Sequence, residues 1–419
     1  MTPEELKTSA RELLENNILQ FWLNKMQDNE NSGFYGRMDG YGNLHPNADK
    51  GCVLNARLLW TFAAAYRLLG KDVYLQATLR AKEYLMHHFI DQQQGGVFWS
   101  VDYMGRPKDT KKQTYALAFT IYAMSELVRA TANEEALGCA IDLFESLEQH
   151  AFDPQSEGYI EALTANWTPI ADMRLSDKDE NGSRTMNTHL HVLEAYTNLY
   201  RVWKNPKLEQ QLRLLISIFT RRLLNPRTQH LDLFFNDNWQ GRRNIESFGH
   251  DIEAAWLITE ALEVLNDEHL KAQVMPVVAQ IAKASEEGLT IDGSMIHERT
   301  ATTTDDERHW WVQCECVIGE LNQYEHFNDK QALQKAVNCY QYILNNLVDY
   351  KNGEWYWSRR ADGSINRCED HAGFWKCPYH NSRMCIEIIE RLNSLFILSC
   401  QRIAAGGRNR YSRTPCSPD

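Results

Sequence analysis

Six long runs of almost continuously apolar residues alternate along this chain with short polar stretches rich in glycine and aromatic residues. The runs read CVLNARLLWTFAAAYRLL from Cys52, TYALAFTIYAMSELV from Thr114, THLHVLEAYTNLYRVW from Thr188, FGHDIEAAWLITEALEVL from Phe248, WWVQCECVIGEL from Trp310 and YHNSRMCIEIIERLNSLFIL from Tyr379. Each is apolar on most faces at helical period, the pattern of a helix buried on two sides. A second, more amphipathic helix is expected after each, as in Tyr74–His88 and Lys207–Leu224. Around Gly33, Gly96, Gly158, His230, Gly293 and Gly353 a strand–turn–strand pattern returns at intervals of about 60 to 70 residues, predicting a short β-hairpin in every unit.

Six units of inner helix, outer helix and hairpin predict an all-α fold, a closed (α/α)6 barrel with β-hairpins connecting the helix pairs. An open solenoid would want polar capping repeats, and none are legible. The barrel is expected to be one domain over residues 1–404. The segment 405–419, AGGRNRYSRTPCSPD, lacks apolar periodicity and reads as a disordered tail.

Composition narrows the partners. The chain has 419 residues and a net charge of −12, which disfavours nucleic acid and anionic membranes. The opening MTPEELKTSARELLENN reads as a capped helix, and no stretch approaches the roughly 18 apolar residues of a membrane span. The 10 cysteines include no CxxC pair, so reduced thiols in a cytoplasmic protein are expected, without structural zinc.

The unusual polar residues fall near the same end of each inner helix. Arg57 lies one or two turns into the first. Tyr115 opens the second, Asn187, His189 and His191 the third, and His250 and Glu253 the fourth. Trp310, Trp311 and Glu315 open the fifth, and Trp375 and His380 the sixth. In a closed barrel these ends converge on one mouth. His189 and His191 are two apart and point to opposite sides of a helix, so only one can face the axis. His191 shares its face with Asn187 and Glu194 and is the one chosen; His189 reads as structural. His250 with Glu253, and Trp311 with Glu315, each share a face. Arg57 in an apolar helix is costly unless it is paired or lines a polar cavity. A metal held by His189, His191, His250 and Glu253 is not expected, because the His-x-His pair diverges.

Glycoside hydrolysis would need two carboxylates, for which Glu253 and Glu315 are candidates, and would leave three histidines without a task. Histidines with an arginine suit proton transfer next to a carbonyl. The C2 proton of an open-chain aldose is acidified, so a base on one face and an acid on the other would invert C2, while an arginine or neutral histidine near O1 would steady the enediolate. Return of the proton to C1 would give a ketose instead, and spacing alone does not separate the two.

The stretches NADKGCVLNARLLW, QTYALAF, MNTHLHVLEAYTNLYRVW, SFGHDIEAAWL, WWVQCE and GFWKCPYHNSRMCIEII, between Asn47 and Ile389, resemble the cellobiose 2-epimerases of the N-acylglucosamine 2-epimerase superfamily. The resemblance implies cofactor-independent epimerisation at C2 of the reducing-end glucose of a β-1,4-linked disaccharide, cellobiose to glucosyl-mannose and lactose to epilactose. It implies His250 and His380 as acid and base, with His191 on the enediolate side and Arg57 on the sugar oxygens. Tyr115, Asn187 and Glu253 resemble sugar contacts, and Trp311 and Trp375 resemble aromatic walls. Glu315 is grouped with the sugar-binding residues. Asp179, in the loop DMRLSDKDENGSR, is expected to close over the substrate. A disaccharide is the expected partner of a monomer or weak homodimer. The nearest alternatives are an N-acylglucosamine 2-epimerase or a mannose isomerase of the same superfamily.

Overall fold

The computed structural model describes residues 1–177, 179–241 and 245–406, with 395–406 given by their backbone alone. The helices run in the order α1 (Pro3–Leu13), α2 (Gln20–Lys25), α3 (Cys52–Leu69), α4 (Asp72–Tyr84), α5 (Thr114–Thr131), α6 (Glu134–His150) and α7 (Met186–Val202). Then follow α8 (Pro206–Ile218), α9 (Phe248–Leu265), α10 (Glu268–Ser285), α11 (Trp310–Phe327), α12 (Lys330–Asn346) and α13 (Tyr379–Gly406). Helix punctuation is local. The side chains of Asn133, Asn205, Asp267 and Asp329 cap the starts of α6, α8, α10 and α12, and Gly70 and Asn266 end α3 and α9 in left-handed conformation.

The all-apolar helices α3, α5, α7, α9, α11 and α13 pack side by side in a closed ring, α13 returning to α3. From Cys52 to Ala65 every residue of α3 is buried, which explains the absence of a polar stripe. The amphipathic helices form the outer layer. One expectation changes here: among the described residues no outer helix follows the sixth inner helix. Its place is taken by α1 from the other end of the chain, which packs on α13 and begins with Thr2 and Glu5 in a reciprocal capping box. The backbone of α13 continues to Gly406, beyond the expected boundary at 404, and the rest of the expected tail lies outside the described residues.

The hairpins do more than connect. The two residues before each of the first five inner helices pair with the hairpin of the following unit: Lys50–Gly51 with Ser100–Val101, Lys112–Gln113 with Ala162–Leu163, and Arg184–Thr185 with Phe234–Phe235. Glu246–Ser247 pair with Glu298–Arg299, and Arg308–His309 with Ser358–Arg359. A bridge between Met38 and Ala372 completes the circle. These pairings stitch the mouth at the N-terminal ends of the inner helices and fix the register at which each helix starts. At the opposite end part-buried ion pairs run from helix to helix, Arg67 to Glu126 (2.6 Å), Arg201 to Glu260 (3.1 Å) and Arg391 to Glu325 (2.9 Å), with Arg67 also reaching Glu390 of α13 and Arg129 holding Glu126 within α5 (2.7 Å). One end is therefore closed by paired charge and the other is left open.

Candidate active site

Because every inner helix starts at the same level, equivalent residues form layers across the barrel. The sixth residue of each is Arg57, Phe119, His191, Glu253, Glu315 and Met384; the second is Val53, Tyr115, Asn187, Gly249, Trp311 and His380. Gly249 breaks the second layer to good effect. A Cβ there would meet the Trp311 ring at 2.7 Å, so the indole lies over the glycine, and the imidazole of the next residue, His250, packs against it at 4.7 Å between ring centroids. His380 lies 5.9 Å from the same indole.

Arg57, His191 and Glu253 of the sixth layer and Tyr115, Asn187, Trp311 and His380 of the second face a cavity of about 820 Å3. Arg57, Tyr115, Asp179, Asn187, His191, His250, Glu253, Trp311, Trp375 and His380 all line it. The expected site residues thus come together, with one difference. Glu315 does not line the cavity; it sits behind His380, accepting Nδ1–H of that ring at 2.7 Å and Trp256 Nε1–H at 3.0 Å.

Each histidine is oriented through Nδ1. Glu194 Oε2 lies 2.8 Å from His191 Nδ1, and Ser247 Oγ 2.8 Å from His250 Nδ1. A carboxylate only accepts, so Glu315 and Glu194 place the proton of His380 and His191 on Nδ1 and leave Nε2 as the basic nitrogen. His189 faces away: its two nitrogens meet Thr185 O at 2.7 Å and Tyr159 N at 3.0 Å, which pins a hairpin to the helix. Asp251 and Gln313, at the same position of α9 and α11, bind Leu231 N and Met295 N in the same way.

The electrostatics follow from burial. Burial, helped by the neighbouring His297 and His191, pushes the His250 imidazole down to about 3. Burial and then the guanidiniums of Arg57 and Arg383 hold His380 well below the usual imidazole range. Both are neutral bases. Burial and the facing carboxylate of Glu315 raise Glu253 to about 7, against the pull of Arg383. Burial would raise Glu194 as well, but Arg383 and the bond from His191 overcome it and hold that carboxyl far below the usual range.

Arg57 is buried, donates to Tyr115 Oη at 2.9 Å and lies 4.2 Å from the Phe119 ring centroid. Asn187 keeps its buried Oδ1 without a partner among the described residues, an acceptor held ready at the cavity wall. Asp179 is at the cavity, and its carboxylate accepts from Ser176 N (2.9 Å) and Oγ (3.0 Å), so it shapes its own loop. Trp375 forms an aromatic wall with Trp99 and Tyr115, and Trp310 is packed on Trp357.

Several residues here escaped the sequence reading. Glu161, deep in a hairpin, accepts from Thr185 Oγ1 at 2.9 Å and is pushed up to about 7 by burial. Nothing periodic marks a hairpin glutamate. Arg383 and Tyr379 were legible in principle, since a charged residue inside an apolar run carries the same signal as Arg57. His297 and His309 meet at the rim with Asp305 close by. Their rings stack at 3.9 Å and 9°, so in-plane lone pairs of both cannot aim at one ion. The inner cluster of Glu253, Glu315 and His380 already has a cation, the Arg383 guanidinium.

A sequence profile describing N-acylglucosamine 2-epimerase (GlcNAc 2-epimerase) matches residues 33–382. The chain is 54% identical to a cellobiose 2-epimerase of Bacteroides fragilis over 388 residues, 92% of this chain and 99% of that one. It is 38% identical to a cellobiose 2-epimerase of Ruminococcus albus over 385 residues, 92% of this chain and 98% of the relative. The structure of a cellobiose 2-epimerase from Bacillus thermoamylovorans superposes with a TM-score of 0.89 at 40% identity, covering 93% of this chain and all of that one.

Proposed function

The chain belongs to the N-acylglucosamine 2-epimerase family as a carbohydrate epimerase, and on that premise we propose that it inverts C2 of the reducing-end glucose of β-1,4-linked disaccharides, cellobiose to glucosyl-mannose and lactose to epilactose. The observation that carries this reading is the pair of neutral imidazoles, His250 and His380, flanking Trp311 in one cavity. At about 820 Å3 the cavity has room for two sugar rings.

The sugar ring opens to the aldehyde, its oxygens held by Arg57 and Asn187 and its faces by Trp311 and Trp375. Nε2 of His380 takes the C2 proton. The electron pair left on carbon moves onto O1, giving a cis-enediolate, while Glu315 faces the new imidazolium. Arg57 and the N-termini of the inner helices stabilise the developing charge, while His191, its proton held on Nδ1 by Glu194, presents Nε2 as an acceptor to a sugar hydroxyl. That charge raises the proton affinity of His250, which picks up a solvent proton. After rotation about C2–C3, His250 delivers its proton to C2 from the other side, His380 releases the proton it took to solvent, and the ring closes. In the reverse direction the two imidazoles exchange roles.

The test is incubation with cellobiose in D2O, with products read by chromatography and NMR. Glucosyl-mannose carrying deuterium at C2 is expected. Product without deuterium at C2, or release of free glucose, overturns the scheme. His250→Ala and His380→Ala are each expected to lose activity by roughly 10²–10⁴. The described cysteines are all free thiols, Cys368 alone being exposed, and among the described residues no helix is long and apolar enough to cross a membrane. Both support the cytoplasmic setting we infer for this activity.

A further inference from the structure

We propose that Arg383 is a positioning residue for both ends of the reaction, one guanidinium that holds in place the carboxylates orienting His191 and His380. The inference rests on the proton-transfer reading above. Arg383 is 1% exposed and does not reach the cavity. Its Nη2 donates to Glu315 Oε1 at 2.7 Å and to Glu253 Oε1 at 2.5 Å, while Nη1 donates to Glu194 Oε1 and to Tyr379 Oη. Glu315 in turn holds His380 Nδ1, and Glu194 holds His191 Nδ1. The guanidinium lies over the rings of Trp256, at 4.7 Å, and Tyr379, at 4.3 Å.

Carboxylates from α7, α9 and α11 therefore converge on one cation from α13. A planar fork with several N–H groups can satisfy such a set; an ammonium on a flexible stem presents a point charge and cannot reach all of it in fixed directions. Without the cation the buried carboxylates repel one another and take up protons. A protonated Glu315 or Glu194 no longer fixes the proton of its histidine on Nδ1, so Nε2 ceases to be reliably the base. Loss of a positive charge beside His380 also makes that imidazole easier to protonate. The other groups facing it, Arg57, His191, His250 and Glu315, are not altered by the substitution. Both effects have the same sign. Groups that must be deprotonated to work now titrate at higher pH, so the acid limb of the activity profile moves up.

The experiment compares wild type, Arg383→Gln and Arg383→Lys in steady-state epimerisation of cellobiose across pH, together with 15N NMR of histidine-labelled protein without substrate. For Arg383→Gln, kcat is expected to fall roughly 10- to 100-fold with KM changed less than about threefold, and the acid limb to shift upward. The His191 and His380 signals are expected to lose their single Nδ1–H tautomer. Arg383→Lys keeps the charge in the core should the glutamine variant fail to fold, and it is expected to fall between the two in kcat and in limb position. An unmoved acid limb, a lysine variant equal to wild type, or unchanged histidine signals each overturns the inference. The NMR arm needs no substrate, so failure of wild type to epimerise cellobiose would count against the functional reading alone.

Discussion

Replacing Glu315 by glutamine separates orientation from binding, because Glu315 touches His380 and not the cavity. Three donors converge on its carboxylate: His380 Nδ1 at 2.7 Å and Arg383 Nη2 at 2.7 Å on one oxygen, and Trp256 Nε1 at 3.0 Å on the other. An amide offers one oxygen and one NH2. With its oxygen toward His380 and Arg383, the NH2 meets the indole N–H; with the reverse orientation, His380 must carry its proton on Nε2 and cannot act as a base. Two donors against one favour the first orientation, so the main loss is charge. In the proposed transition state His380 becomes an imidazolium beside that carboxylate. Two unit charges about 4 Å apart at an effective dielectric near 20 interact by about 4 kcal/mol. At 1.36 kcal/mol per decade this allows a fall in kcat of roughly 10²- to 10³-fold. KM should change by less than about threefold, since no sugar contact is removed. Thermal stability serves as the control: an unsatisfied N–H costs about 1–3 kcal/mol, while relief of repulsion with Glu253 opposes it. The assay is steady-state epimerisation of cellobiose beside a melting curve. A kcat within about threefold of wild type refutes the orienting role. A raised KM at unchanged kcat would instead make Glu315 the sugar contact suggested by its shared helix face with Trp311.

Glu253, raised to about 7, is neutral below that pH and anionic above it, where its charge opposes the enediolate; Glu253→Gln should move the alkaline limb of kcat to higher pH, and a limb left in place would assign that limb to another group. His189 is held down at about 4, so below its ordinary value of 6.5 the unfolded chain binds a proton that the folded chain refuses, and stability falls as pH drops. Between pH 7 and 5 this amounts to about 2 kcal/mol; urea denaturation of His189→Gln should show a smaller loss over that interval, and an identical loss would contradict the assignment. Gly249→Ala puts a Cβ 2.7 Å from the Trp311 ring. It is expected to lower kcat/KM at least about tenfold while costing roughly 1–3 kcal/mol of stability, and full activity would mean that Trp311 does not set the position of its neighbouring histidines.

The helical ring was legible because its signal is long and repeated. Six buried helices must each be apolar on two sides, and runs such as Cys52–Leu69 admit no other element of that length. The closing contact was not legible, because α1 is remote in sequence from α13 and carries only the mark of an amphipathic helix with a good cap. The same reason hid the pairing of Lys50–Gly51 with Ser100–Val101: a two-residue strand has no periodicity to read, and its partner is chosen by the ring. In the site, a charge or imidazole at the start of an apolar helix pointed to the axis correctly for Arg57, His191 and His250. The approach failed at Glu315, one turn below Trp311 on the same face, because a helix face gives direction but not depth. Depth is set by what fills the space above, here His380 reaching over from α13.

The layered arrangement also explains why carboxylates of one kind can hold different states. Glu194, Glu253 and Glu315 come from neighbouring inner helices and share one guanidinium. A single cation cannot neutralise three buried anions, so the set must keep a proton somewhere. Glu194 receives donors from His191 and Tyr379 besides Arg383 and is the acid of the group. Glu315 receives donors from His380 and Trp256. Glu253 has Arg383 as its ion-pair partner and faces the cavity, and it is the one raised to about 7. Environments that push like groups apart assign them different work. Glu194, held far below the usual carboxylate range, stays ionised and orients His191, and Glu315 orients His380, while Glu253 at the cavity is protonated below about pH 7 and can then donate a hydrogen bond to a sugar oxygen on which negative charge is developing. A ring of six helices in common register is what allows this, since it brings groups distant in sequence within reach of one guanidinium while each remains on a rigid, buried support.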